Sequence, residues 1–525
     1  MAKAGWEVTV LEKHDTPGGR ARQLKASEFT FDMGPSWYWM PDVFERFFNC
    51  FGKKVEDYYQ LVRLDPSYRI YWEESFLDLP ANYDDIKKVF ETIEPGAGAQ
   101  LDRFMQEAAY KYKVGMHKLV HQPGHSFTEF LDIDLLKGIF NSDVFTSMKK
   151  HIAKHFKDTR LQQLMEFPVL FLGALAKDTP ALYSLMNYAD IKLGTWYPRG
   201  GMYTIVEGMY GLAKELGVKF LFNHDVVEIR TDQYLAKSVV AQTTNLSSIA
   251  LAKEDLSTEA LAKEDLSSGA LAMEENQFIL HSFSEGGQST PNPIFEADVV
   301  IGAADYHFIE TTLLPANCRT YSDEYWDKRV MAPACLLYYV GLNKKLNGIL
   351  HHSLFFDTSF EVHGKEIYIT PQWPTAPLFY VSATSVTDHT VAPEGCENLF
   401  FLVPVATGLQ GDTEELRDEF FEKILSRFEK KTGQVIRDSI IYKKSYSLSN
   451  FVSDYNSFKG NAYGLANTLR QTAVLKPGLR SKKIKNLFYT GQLTVPGPGV
   501  PPSLISGEIV AKEVVKYYGT TKQKK

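Results

Sequence analysis

With 525 residues, 44% of them hydrophobic, the chain can bury far more than one small module needs and is predicted to form more than one domain. A formal charge of −7, spread along the sequence without a long basic block, sets nucleic-acid binding aside. Cys50, Cys318, Cys335 and Cys396 are far apart and form no C-x-x-C pair, so neither a zinc site nor a disulfide framework is indicated and no metal is expected.

The opening MAKAGWEVTV has no charged stretch leading into an apolar core, so it does not read as a signal peptide and a cytoplasmic location is expected. Trp6, Val8 and Val10 alternate with polar residues, which predicts a short strand ending on Glu12. In 121–156, Phe130, Leu131, Leu135, Ile139 and Phe140 are mixed with Lys149, Lys150, Lys154 and Lys157. Such a basic amphipathic stretch suits a membrane surface, or equally packing on its own domain. His117 with His121, and His151 with His155, have the i, i+4 spacing of one helical face. Without H-E-x-x-H or a third ligand they are expected to be surface histidines.

The apolar runs 167–176 and 330–342 are too short for the roughly 20 residues of a membrane-spanning helix, so any membrane contact is expected to be peripheral. Met202, Ile205, Val206, Met209, Leu212, Ala213 and Leu216 recur at helical spacing before Gly217, and an apolar strand over 218–222 follows. Residues 249–277 repeat as IALAKEDLST, EALAKEDLSS and GALAMEENQ, helix-favouring but poor in apolar surface, so 240–290 reads as a solvated insertion. Strands are predicted at 336–340, 378–381 and 399–403. Asp412 and Glu415 form a D-x-x-E capping box, opening a helix whose Leu416, Phe420, Ile424, Leu425 and Phe428 share one face up to Gly433.

Residues 10–22, VLEKHDTPGGRAR, carry the strongest chemical signal. A carboxylate at a strand tip, here Glu12, can accept hydrogen bonds from both hydroxyls of an adenosine ribose. Gly18 and Gly19 let the backbone pass close to a ligand, and Arg20 and Arg22 offer fixed positive forks for a pyrophosphate. A strand-end acid followed by GGRAR resembles the flavoproteins of the amine oxidase and phytoene desaturase superfamily, in which this segment binds FAD. Further segments extend the resemblance. FDMGPSWYWMPD (31–42) resembles the segment passing beside the flavin, with Gly34, Pro35 and Ser36 as contacts. WYPRGGM (196–202) resembles the turn near the isoalloxazine, with Gly200, Gly201 and Met202. Residues 486–515 resemble the closing FAD motif, with Gly491, Gln492, Gly499, Val500 and Pro501, ending in a helix start whose free N–H groups favour a reduced flavin anion. Val227 is a further cofactor contact that the resemblance implies.

The resemblance implies an α/β fold. A Rossmann-like, glutathione-reductase-like FAD-binding domain is expected from 1–80, 200–310 and 480–525, carrying the 240–290 insertion. A second, mixed α+β substrate and membrane-associating domain is expected from 81–199 and 311–479. The implied enzyme is an FAD-dependent desaturase that takes phytoene towards neurosporene or lycopene, by hydride transfer to flavin N5 and loss of a proton from the neighbouring carbon. Residues 168–198 are most similar to enzymes acting on phytoene. Trp37, Tyr38, Trp196 and Tyr197 are expected to line an apolar tunnel, and no acid–base residue stands out. The expected partners are a hydrophobic isoprenoid and the inner face of the cytoplasmic membrane; a homo-oligomer is left open. One departure concerns G-x-G-x-x-G, which lies about 20 residues before the ribose-binding acid. Only eleven residues precede Glu12, so the first strand and the glycine loop are expected to be missing. Gln492 stands where many relatives carry an acid. The rival readings are a hydroxycarotenoid desaturase or carotenoid isomerase, a non-catalytic carotenoid-binding protein, and an amine oxidase.

Overall fold

The computed structural model describes residues 1–126, 129, 146–170, 173–243, 292–468 and 470–519. The repeats at 249–277 and half of the 121–156 stretch, including Phe130, Leu131, Leu135, Ile139 and Phe140, lie outside them.

Strand β1 (Thr9–Leu11) is the predicted N-terminal strand. It pairs in parallel with β8 (Lys219–Leu221), with Val10 opposite Phe220. Between them in sequence come the hairpin β2 (Gln23–Ala26) and β3 (Phe29–Asp32), helix α1 (Pro41–Asn49), β4 (Leu61–Arg63), β5 (Tyr68–Tyr71) and β6 (Phe76–Leu79). Helices α2 (Tyr83–Ile93), α3 (Ala97–Val114), α4 (Met148–His155) and α5 (Thr159–Leu170) follow. Strand β7 (Trp196–Pro198) then leads into α6 (Tyr203–Glu215), the helix that the 3.6-residue pattern placed before Gly217. Strands β9 (His224–Asp232), β10 (Leu235–Thr243) and β11 (Ile294–Glu296) form an antiparallel sheet, in which Val240 of β10 lies opposite Ile294 of β11. Strand β12 (Val300–Gly302) pairs in parallel with β18 (Leu487–Tyr489), and α10 (Val500–Tyr518) ends the described chain.

A seven-stranded sheet fills the other half. It contains β13 (Ala334–Leu342), β14 (His352–Phe355), β15 (Phe379–Ser382), β16 (Glu397–Val405) and β17 (Ile440–Tyr446), in the order β17-β13-β16-β15-β14-β5-β6. Every residue of β13 is buried, as a strand covered on both faces requires. Alternation sends Leu336, Tyr338 and Val340 to one face. There they meet Phe420, Phe421, Ile424, Leu425 and Phe428 of α8 (Glu414–Thr432), each full burial contributing about 1.5–3 kcal/mol. Leu337 and Tyr339 face the opposite way, into a cluster with Phe104 of α3, Ile152 of α4 and Leu164 of α5.

The start of α8 corrects one expectation. Its cap is Thr413, whose side chain accepts from the Leu416 N–H, while Asp412 is held by Arg417 in two hydrogen bonds of 2.8 and 2.9 Å. A guanidinium fork matches a carboxylate better than a single amide does, so Asp412 is drawn away from capping. Gly433 ends the helix at φ 69°, a left-handed conformation that suits glycine. Helix α7 (Phe360–Tyr368) covers the sheet through His363, and α9 (Leu448–Tyr455) brings the segment after β17 to the N-terminal motif.

Candidate active site

Four separate segments of the chain meet at one place. Glu12 closes β1. Its backbone N–H donates to Leu221, its carbonyl accepts from His224, and its carboxylate accepts from the His14 N–H at 2.9 Å. Burial pushes this carboxyl above its ordinary range. The turn that follows needs its glycines, because Gly18 and Gly19 have φ of 117° and 52°. Arg22 pairs with Asp454 of α9 at 2.6 Å and Arg20 donates to Ser457 at 3.0 Å; both guanidiniums lie over the Tyr455 ring, at 5.3 and 5.1 Å. The Gln492 amide, with its oxygen turned to Arg20, accepts from that guanidinium at 3.1 and 3.2 Å. The N-terminal and closing motifs are thereby joined.

The 31–36 segment runs alongside. A side chain on Gly34 would come within 2.8 Å of the Arg20 carbonyl, so a close backbone approach excludes any other residue there. Asp32 accepts from the backbone N–H groups of Met202 at 2.8 Å and Tyr203 at 3.2 Å, tying this segment to the start of α6. Burial raises the Asp32 carboxyl to about 7, against the downward pull of those two donors. The Gly200 N–H donates to Asp388 at 2.6 Å, and Gly201, at φ 101°, leaves 3.0 Å between a hypothetical Cβ and Asp32. Asp32, Ser36, Ser382 and Thr384 border a cavity of about 10 Å³, near the size of a single water. At the closing motif, a Cβ on Gly491 would meet no atom within 4 Å, and Gly499, at φ 111°, precedes α10 without a side-chain cap. Val500 packs into the cluster that holds Tyr38 and Met202. Val227 lies on β9, exposed.

Backbone alternation divides the four aromatic residues expected to line a tunnel. Trp37 stacks on His352 with ring centroids 4.1 Å apart and planes 12° apart, and lies 5.5 Å from both Tyr68 and Tyr380. Tyr197 lies 4.6 Å from His351. These two share the histidine pair at the start of β14. Tyr38 and Trp196 lie in a different cluster. They form an isolated bridge with each other on the other side, where Tyr38 is 1% exposed, stacks on Phe44 and shares a 3.0 Å hydrogen bond with Tyr59. Trp196 is partly buried against the same cluster and donates to the Leu193 carbonyl. Burial pulls His351 down to about 3 and His352 far below the ordinary imidazole range, so both rings are neutral, and the Nε2 atom of each lacks a hydrogen-bond partner among the described residues. Sequence reading missed this pair, along with Tyr380, Asp32 and the 454–461 partners of Arg20 and Arg22. The available signal was the two adjacent histidines where an apolar strand begins.

The i, i+4 histidines of α4 are also corrected. His151 is 1% exposed, and with His155 it faces Glu107 of α3, so the three ligand atoms lie within 4.8 Å of one another. The Lys111 ammonium stands 3.3 Å from His151 Nε2 and already supplies a cation to this cluster. His121 contacts Arg46, which pairs with Glu508 of α10. All four cysteines are free, and among the described residues no helix is long and apolar enough to cross a membrane.

Comparison with known proteins identifies the family. Residues 1–250 match the flavin containing amine oxidoreductase family. The carotenoid 3,4-desaturase of Haloarcula japonica is 37% identical, over 98% of this chain and 94% of that protein. The zeta-carotene-forming phytoene desaturase of Myxococcus xanthus is 27% identical over 98% and 91%. Among solved structures, an oxidoreductase from Methanosarcina mazei superposes with a TM-score of 0.57 at 14% identity, covering 97% of this chain and 95% of that one. Cyclohexylamine oxidase from Brevibacterium oxydans gives 0.51 at 12%, covering 98% and 94%; both speak for the fold alone. The α/β architecture, the flavin signature and the 37% identity over nearly the whole chain together place this protein in the carotenoid desaturase family of FAD-dependent oxidoreductases.

Proposed function

We propose that the enzyme desaturates a carotenoid precursor of the phytoene type, carrying it towards neurosporene or lycopene. The observation that carries this reading is the meeting of the 12–22, 31–36, 200–202 and 491–500 segments beside a neutral aromatic face. FAD, when bound, supplies a two-electron acceptor for a carbon–hydrogen bond that no side chain could oxidise. Glu12 would take the ribose, and Arg20 and Arg22 the pyrophosphate. Gly34, Pro35, Ser36, Gly200, Gly201 and Met202 would border the ring system, with Val227 a further contact. The closing Gly491, Gln492, Gly499, Val500 and Pro501 would complete the cradle. Trp37 and Tyr197, with the uncharged His351 and His352, would hold the polyene and exclude water, since neutral rings put no fixed charge beside an apolar chain.

The chain division is part of the same proposal, with β5 and β6 at the seam because they pair into the seven-stranded sheet. An isoprenoid of this size is insoluble in water, so the enzyme would take it from a membrane surface by peripheral contact. A second reading places the reaction at the 3,4 bond of an already conjugated carotenoid. The 37% identity to a carotenoid 3,4-desaturase, against 27% to a phytoene desaturase, favours it.

Expression in a phytoene-producing bacterium tests both. Coloured, more conjugated products made by flavin-loaded enzyme without nicotinamide support the first reading. Unchanged phytoene, with conversion only of a supplied conjugated carotenoid, replaces it by the second.

A further inference from the structure

The loop between 461 and 481 packs against the proline- and glycine-rich crossing that leads to α10, through the Thr494 hydroxyl donating to the Pro477 carbonyl at 2.6 Å. Inside this packing lie two polar groups with no hydrogen-bond partner among the described residues: Nζ of Lys476 and Oδ1 of Asn467, on side chains 5% and 4% exposed. Both face the same spot. A Cβ built on Gly497, which has φ 140°, would lie 3.1 Å from Lys476 Nζ and 3.0 Å from Asn467 Oδ1. A buried amine and a buried amide oxygen without partners each cost free energy, so an unfilled pair of this kind calls for a ligand group that satisfies both. Burial holds the Lys476 amine down at about 7, a second sign that no described carboxylate neutralises it.

We propose that Lys476 and Asn467 are a donor–acceptor pair that reads the imide edge of the flavin pyrimidine, Lys476 donating to a ring carbonyl and Asn467 accepting from the neighbouring ring N–H. The inference rests on the flavin-dependent reading above. An all-carbon polyene offers neither donor nor acceptor, so the pair has no use for the substrate. The imide edge carries both, at adjacent positions, and Gly497 belongs to the crossing between Gly491 and Gly499 of the closing flavin motif. Both residues are positioning residues: they fix the ring and tune its electronics without entering the reaction.

The test uses the flavin-loaded full chain. Lys476→Met is expected to retain FAD about ten-fold less tightly, as loss of a charge-assisted hydrogen bond implies, and to shift the absorption of the flavin still bound. Lys476→Arg should restore most of both, and Asn467→Ala should move the ionisation of the bound ring N–H. Reconstituting the wild-type apoprotein with FAD methylated at the pyrimidine N3 avoids any folding defect. The methyl group blocks Asn467, so binding about ten-fold weaker than FAD is expected. Equal binding of the methylated cofactor, or Lys476→Met with wild-type flavin content and spectrum, overturns the proposal while leaving flavin dependence intact. A wild-type protein that takes up no flavin overturns both.

Discussion

The surroundings of Arg20 and of Trp37 lie on either side of the same 31–36 segment, and they are assembled from opposite materials. Around Arg20 are a second guanidinium, a carboxylate, hydroxyls and an amide, linked by hydrogen bonds of 2.6 to 3.2 Å. Around Trp37 the described residues bring together the rings of Trp39, Tyr68, Phe167, His352 and Tyr380, and the two histidines there have been stripped of charge by burial. Charge is concentrated where phosphates would bind and removed from where a hydrocarbon would lie, which is how one site can accommodate two ligands of opposite polarity.

Arg20→Ala is the severest test of this division. It leaves Ser457 and Gln492 facing an empty buried space beside Asp305, a class of change that costs about 3–5 kcal/mol. The purified variant is expected to lose nearly all bound FAD, read as the 450 nm to 280 nm absorbance ratio; a retained flavin would break the assignment of this end. Trp37→Ala should cost about 3 kcal/mol in thermal unfolding, because a large ring is removed from between His352 and Tyr68. Its turnover should fall with FAD content held. Loss of flavin in step with turnover would mean that the two ends are not separable.

A gentler probe is Asp32→Asn. In the folded chain this carboxyl sits at about 7, above its unfolded value of 3.8. Its contribution to stability is therefore full below about pH 3.8 and is lost as pH rises through about 7. The difference in urea midpoint between wild type and variant is expected to change across that window and to be flat above it; a flat difference throughout would show that the two backbone donors keep Asp32 ionised. Deleting 249–277 should have the smallest effect. Strands β10 and β11 flank the insertion and pair in register at Val240 and Ile294, so the sheet closes at its base. Flavin content and turnover should stay within experimental error, and a large loss of either would make the repeats structural.

How much of this was readable from the residues differs between the two surroundings. Glu12, the GGRAR turn and the closing glycines were legible because phosphate and ribose chemistry demand particular residue types at close sequence spacing. Helix α6 and strands β13, β15 and β16 were legible from apolar periodicity. The partners of Arg20 and Arg22 lie more than 430 positions away, and nothing local marks Asp454 or Ser457 as meeting an arginine. Trp37 and Tyr38 were expected on one side because sequence reading weighed their aromatic character and ignored strand alternation, which sends neighbours to opposite faces. His151 was read as a surface residue because two histidines one turn apart say nothing about the helix they face.

That alternation has an evolutionary corollary. Trp37 and Tyr38 are adjacent in the gene but share no ring contact, so their substitutions should combine additively and drift independently. Trp37 and His352 are more than 300 codons apart but stacked, and a change in one should alter which changes in the other are tolerated. Selection for a new polyene would then be expected to recover linked pairs from distant exchanges such as 37 with 352 and 197 with 351, leaving 38 and 196 to covary with the helices beneath them.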